Sequence, residues 1–274
     1  MVRSLVWMGR FLHLSEYVLA FVLAAFATSL PEFFVGIHAA LQGFSSLSVG
    51  NVVGANFLNI TLVIGVTAVM AGSISMDRGY TRAHLGLGFT IIVFPLLLLL
   101  DGLLSRADGF LLLFLFGGYL SYLIAHDART HVVDSIPEEE YRVSVFLKKL
   151  ALFFFGVVLL LGSAWFIVST GIEFGRAAAL PFYFIGILIA IGTTLPEVVF
   201  GVRSVSLGHT NMSIGNALGS IAVNTSLVLG VVAIIQPIRI ESPLTISLMI
   251  LLTGACAVWV YAMNFVWGGL SRRV

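Results

Sequence analysis

The chain has 274 residues, 59% of them hydrophobic and 10% charged, with a formal net charge of +1 and a mean hydropathy of +1.08. No soluble globule of that size tolerates so apolar a surface, so the bilayer is the main solvent and the expected fold class is all-α, a polytopic transmembrane helical bundle. The basic residues fall singly between apolar stretches, which leaves no footprint for nucleic acid, and the lone Cys256 rules out an intrachain disulfide or a cysteine metal site.

Arg3 and Arg10 precede no long apolar core with a cleavage site, so no removable signal peptide is read at the N-terminus. Stretches of about 20 apolar residues then predict eight helices, at about 15–41, 47–71, 83–103, 108–126, 149–172, 179–206, 213–236 and 243–266. The one hydrophilic connection, with Glu138, Glu139, Glu140, Lys148 and Lys149, divides the chain. The expected organisation is a first membrane half over 1–126, a cytoplasmic linker over 127–148 and a second membrane half over 149–274. Lys and Arg favour the cytoplasmic side of short loops. Eleven of them fall on the side of the termini and the linker, against Arg106, Arg176 and Arg239 on the other, so both termini are expected in the cytoplasm.

Residues 28–65 are written again at 193–230. A shift of 165 positions aligns them without a gap, with 14 of 38 positions identical, and lays Thr28-Ser29-Leu30-Pro31-Glu32 on Thr193-Thr194-Leu195-Pro196-Glu197. The same shift lays Gly50-Asn51-x-x-Gly54 on Gly215-Asn216-x-x-Gly219, and Asn59 on Asn224. The first copy begins on the cytoplasmic side and the second on the opposite side, so the halves form an inverted repeat.

Each copy carries a proline and a carboxylate within a membrane-length apolar segment, where both are costly unless they line a polar cavity. Pro31 and Pro196 remove a backbone donor and free carbonyl oxygens near Thr28 and Thr193. Carbonyls, hydroxyls and carboxylates are hard oxygen ligands, suited to Na⁺ and Ca²⁺, and Glu32 with Glu197 supply the two charges that one Ca²⁺ neutralises. The glycines of Gly-Asn-x-x-Gly allow close helix approach. Asn51, Asn216, Asn59 and Asn224 can ligate an ion or cap a broken helix end. Asp101, Glu173 and Glu16, near span ends, read as interfacial or capping groups, and His38 and Arg203 as interface or vestibule residues. His84, His126, His131 and His209 fall near loops and are not read as a proton relay.

Ala27-Thr28-Ser29-Leu30-Pro31-Glu32 and Gly192-Thr193-Thr194-Leu195-Pro196-Glu197, with their Gly-Asn-x-x-Gly partners, resemble the paired α-repeats of the sodium/calcium exchanger branch of the cation/calcium antiporters. The resemblance implies a ten-helix inverted-repeat fold with ion sites clustered at mid-membrane. It implies Glu32 and Glu197 as central Ca²⁺ carboxylates and backbone carbonyls from Thr28 and Thr193. Ser29, Thr194, Ser220 and the carbonyls of Ala25 and Ala190 are implied for flanking Na⁺ sites, with Asn59 and Asn224 beside them.

Three departures from the family pattern stand out. Ala55 replaces an expected serine, Asn224 replaces a common acidic residue, and the family's first and tenth helices are expected to be missing. The leading expectation is Ca²⁺/Na⁺ antiport by alternating access in a prokaryotic-type cell membrane, with Ca²⁺ and Na⁺ as transported ions and no cofactor. A Ca²⁺/H⁺ antiporter is the nearest alternative. A non-transporting ion-binding protein or subunit, with a partner chain or oligomer supplying the absent helices, is the other. No His-Glu-x-x-His, Gly-x-Ser-x-Gly or intramembrane aspartate pair supports an enzyme.

Overall fold

The structure, a computed structural model, describes residues 1–12, 14–72, 93–95, 97–130, 143–177, 182–240 and 254. The predicted span at 243–266 and most of that at 83–103 lie outside the described residues.

Helix α1 is Val2–Leu12, α2 is Glu16–Thr28, α3 is Leu30–Leu41 and α4 is Ser45–Ala71. Strand β1, Leu103–Leu104, precedes α5, Arg106–Thr130, and then comes α6, Val143–Ala177. Helices α7, Phe182–Thr193, α8, Leu195–Ser206, and α9, Thr210–Ile235, lead to strand β2, Ile238–Arg239. Among the described residues four continuous stretches are long and apolar enough to cross a membrane: α4, Arg106–Asp127 of α5, Tyr183–Ser206 through α7 and α8, and α9. The pair α2 and α3, bent by 44°, makes a fifth.

Residues 1–14, expected to hold no span, form a helix from Val2 to Leu12, about 16 Å long by its rise. Leu5, Met8 and Trp7 of α1 bury against Phe153 and Val157 of α6. Both ends of the 127–148 stretch are helical, because α5 runs to Thr130 and α6 starts at Val143. Asp127 is wholly buried, with the Ser15 amide donating to its Oδ2 at 2.8 Å, so it caps the start of α2 instead of facing solvent.

Polarity runs opposite to that of a soluble protein. Phe114 of α5 is 78% exposed, while Glu32, Glu197, Asn51, Asn59, Asn216 and Asn224 are 0% exposed. The apolar layer between the halves joins Val49, Val52 and Val53 of α4 to Val228, Leu229 and Val232 of α9. At one end β1 pairs antiparallel with β2, Leu103 opposite Arg239 and Leu104 opposite Ile238, and Arg106 Nε donates to the Ile234 carbonyl at 3.1 Å. At α2's entry, His209 Nδ1 meets the Glu16 carboxylate at 2.9 Å.

The repeat shows in local geometry too. After α3, the Phe44 N–H bonds the Ala39 carbonyl and Gly43 takes φ 87°; after α8, the His209 N–H bonds the Ser204 carbonyl and Gly208 takes φ 85°. Both are left-handed glycine caps of the same kind.

Candidate ion-binding site

The site starts from two broken helices. In the first half the helical ladder stops at the Ser29 N–H, which bonds the Ala25 carbonyl at 2.9 Å, and restarts at the Phe33 N–H, which bonds Ser29 at 3.1 Å. The second half repeats this with Thr194 to Ala190 at 3.0 Å and Val198 to Thr194 at 3.1 Å. Pro31 and Pro196 lack the donor that would bridge each gap. The carbonyls of Phe26, Ala27 and Thr28, and of Ile191, Gly192 and Thr193, are left without a helical i+4 partner. Ala25 and Ala190, expected as carbonyl ligands by resemblance, each accept the last amide of the ladder and stand 3.4 Å from the hydroxyl of Thr28 or Thr193, which leaves each carbonyl a second lone pair. The broken ladder exposes the carbonyls that follow them.

The restarting helices place Glu32 and Glu197 in their first turns, where the unpaired N–H groups favour a carboxylate. Both are fully buried, and Glu197 is close enough to act coulombically on Glu32. Ser29 and Ser220 donate to Glu197 Oε1 at 3.4 and 3.2 Å. The Thr193 hydroxyl lies beside the Glu32 carboxylate, but neither Glu32 oxygen nor Glu197 Oε2 has a well-placed hydrogen-bond donor, and neither do Thr194 Oγ1, Asn59 Oδ1 and Asn224 Oδ1. Six buried oxygens, three of them carboxylate, therefore lack a well-placed donor.

Close helix contacts hold these groups together across the halves. Gly54 and Gly219 are repeat mates; a Cβ on Gly54 would lie 2.8 Å from the Ala190 Cβ, and one on Gly219 2.6 Å from the Ala25 Cβ. Gly50 packs on the Tyr183 carbonyl, and Gly215 on that of Tyr17, where a Cβ would come within 2.5 Å. The Gly-Asn-x-x-Gly helix of each half thus packs on the pre-break helix of the other, and the asparagines follow. Thr28 Oγ1 donates to Asn216 Oδ1, and Thr193 Oγ1 to Asn51 Oδ1, both at 3.2 Å.

Sequence reasoning missed two features. Asn59 and Asn224 lie in π-helical turns, Asn59–Val63 and Val223–Val228, whose extra residue turns their side chains off the regular helical face. Asn56, 4% exposed, accepts the Asn224 Nδ2–H at 3.3 Å. Its repeat mate is Ile221, so comparing the two copies gave no signal for it. Asp101 acts as expected of a cap, accepting the Leu103 N–H at 2.9 Å, and His38 and Arg203 are exposed.

Two carboxylates and a set of neutral oxygens, buried between inverted halves, have the chemistry that suits a hard cation in a membrane transporter. The sequence profile described as sodium/calcium exchanger protein matches residues 1–125 and 148–274, and the chain belongs to that family of cation antiporters. It is a multi-pass membrane transporter, not an enzyme. It is 32% identical over 247 residues to the inner membrane protein YrbG of Escherichia coli (strain K12), covering 84% of this chain and 72% of that one. It is 30% identical over 237 residues to the putative antiporter CaxA of Alkalimonas amylolytica, covering 84% and 73%. It is 24% identical over 276 residues to the sodium/calcium exchanger MaX1 of Methanosarcina acetivorans, covering 87% and 79%. The fold is also that of the sodium-calcium exchanger NCX_Mj soaked with 100 mM Na⁺ and 10 mM Sr²⁺, with a TM-score of 0.76 at 23% identity over 97% of this chain and 88% of that one.

Proposed function

We propose that the protein exchanges Ca²⁺ for Na⁺ by alternating access, with Glu32 and Glu197 as the central Ca²⁺ carboxylates. The observation that carries this reading is the set of buried oxygens without a well-placed donor: Glu32 Oε1 and Oε2, Glu197 Oε2, Thr194 Oγ1, Asn59 Oδ1 and Asn224 Oδ1. Burying two carboxylates with so few donors costs several kcal/mol, and a cation that takes oxygen ligands offsets that cost. Ca²⁺ takes 6–8 oxygens, which the side chains and the freed carbonyls of Thr28 and Thr193 can supply. Two carboxylates balance one Ca²⁺ or two Na⁺, so the ions compete for the same oxygens and entry of one displaces the other. Ser29, Thr194 and Ser220 add the hydroxyls that suit Na⁺ at the flanks. Relatives named as a sodium/calcium exchanger and a putative antiporter support the same reading.

A proton-coupled exchange is favoured by one observation: Ala55 and Asn224 take a hydroxyl and a charge out of the Na⁺ side of the site. The test is ⁴⁵Ca²⁺ uptake into proteoliposomes loaded with Na⁺ at clamped pH, against vesicles carrying only an outward H⁺ gradient. Uptake driven by Na⁺ alone is expected. Uptake that follows only the proton gradient would replace Na⁺ with H⁺ as the coupling ion, and Ca²⁺ binding without flux under any gradient would remove the transporter assignment.

A further inference from the structure

Asn224 is a neutral residue in a set otherwise organised around two carboxylates, and an amide is useful to a cation through only one of its two ends. Turned one way it offers a carbonyl oxygen; turned the other it presents N–H hydrogens, which repel a cation. The structure resolves that choice through a residue outside the repeat pattern. Asn224 Nδ2–H donates to Asn56 Oδ1 at 3.3 Å, which leaves Asn224 Oδ1 buried and without a partner. Asn56 stands in the last regular turn of α4 before the π-helical turn that begins at Asn59, and Asn224 lies in the π-helical turn of α9 packed against α4 and against α3, the helix of Glu32. Position 221, the repeat mate of Asn56, is isoleucine, so the second half has no counterpart of this contact.

We propose that Asn56 is a positioning and selectivity residue, which holds the Asn224 amide with its oxygen toward the transported cation and its NH₂ away from it. This rests on the antiporter reading above. Asn56 does not touch the ion in this account; it acts through Asn224, as second-layer groups orient metal ligands elsewhere, where their removal costs roughly 10–100-fold in affinity. The role is one-sided, so it makes the two halves of the cluster chemically unequal. A carboxylate at position 224 would need no such partner, because both its ends are oxygen.

The experiment measures equilibrium ⁴⁵Ca²⁺ binding to purified full-length protein in detergent, with gel-filtration profile and thermal midpoint recorded for every variant. Asn56→Leu, which removes the acceptor at similar volume, is expected to weaken Ca²⁺ binding about tenfold or more. Asn56→Ala serves in its place if the leucine variant does not fold. Asn56→Asp keeps only acceptors at that position and is expected to bind Ca²⁺ at least as well as the parent. In an Asn224→Asp background the Asn56→Leu change is expected to cost less than about threefold, since nothing is left to orient. The inference is overturned by an equal loss in both backgrounds, by no loss in either, or by an aspartate variant as weak as the leucine one. A parent protein that binds no Ca²⁺ would overturn the antiporter reading itself, a result separable from any pattern among the Asn56 variants.

Discussion

Thr28 of the first half donates its hydroxyl to Asn216 of the second, and Thr193 of the second donates to Asn51 of the first, each at 3.2 Å and each fully buried. The broken helix of each half is thus held by the Gly-Asn-x-x-Gly helix of the other. Thr193→Val removes the donor at almost constant volume and leaves the buried Asn51 oxygen unsatisfied. A loss of about 1–3 kcal/mol is expected, read as a lowered thermal midpoint in detergent, with Thr193→Ser restoring most of it. A valine variant as stable as the parent would mean that this bond does not join the halves.

Glu32→Gln and Glu197→Gln are each expected to abolish Ca²⁺ binding, because on the proposed assignment each removes one of the two charges that balance the ion. Asp101→Asn is the control: Asp101 is exposed and caps the Leu103 amide, far in role from the buried pair. Equilibrium ⁴⁵Ca²⁺ binding decides the matter. Retained binding in either glutamine variant would remove the site assignment.

The fold class and the repeat were legible because lipid allows few alternatives: a proline and a glutamate recurring 165 positions apart in apolar stretches signal a buried polar site. Span ends at Leu41 and Ala71 also follow from the apolar runs and the glycines after them. The π-helical turns at Asn59 and Val223 were not legible, since they depend on which neighbour the displaced residue meets and not on local propensity. Asn56 was hidden for a related reason, its partner being 168 residues away and its repeat mate apolar. Asp127 was assigned to the linker by the charge around it, whereas the Ser15 amide draws it into the protein.

The glycines offer a test with an internal control. Gly215→Ala would force a Cβ within 2.5 Å of the Tyr17 carbonyl, and Gly50→Ala meets the Tyr183 carbonyl in the same way. A backbone atom cannot swing aside, so each change must separate two helices that position the site. A stability loss of about 1–3 kcal/mol or more and weaker Ca²⁺ binding are expected. Gly117→Ala on α5 meets nothing within 4 Å and should be neutral or slightly stabilising by helix propensity. Wild-type melting and binding in Gly215→Ala would show that the helices do not approach this closely.

Asp127→Asn tests the anchor at the start of α2. The Asp127 carboxylate accepts the Ser15 amide at 2.8 Å beside the helix N-terminus, while Ser15 Oγ accepts the Val18 amide at 3.1 Å. Hydrogen bonds to a charged group contribute about 1.5–3 kcal/mol, and the variant keeps an acceptor, so a loss near the lower end is expected. Asp127→Leu should lose more, having no acceptor at all. Thermal unfolding of the two variants checks the order, and a leucine variant at least as stable as the asparagine one would exclude capping as the role of Asp127.

Ala55 is the mate of Ser220, which donates to Glu197 Oε1 at 3.2 Å, and Ala55 itself is fully buried. Glu32 has the Thr193 hydroxyl of the other half beside it, but no serine at the position that matches Ser220. By the repeat's symmetry, Ala55→Ser places a hydroxyl beside Glu32 as Ser220 is placed beside Glu197. A hydroxyl serves a carboxylate as donor and Na⁺ as a hard ligand, so the expected outcome is tighter Na⁺ binding on the first-half side. A gain of about 1 kcal/mol, typical of one net hydrogen bond, corresponds to roughly a fivefold lower Na⁺ concentration for half-maximal Ca²⁺ exchange. A steeper dependence of flux on Na⁺ would mean that the serine completes a site the parent lacks. Unchanged midpoint and slope would mean that the oxygens around Glu32 already hold Na⁺ without a hydroxyl at position 55.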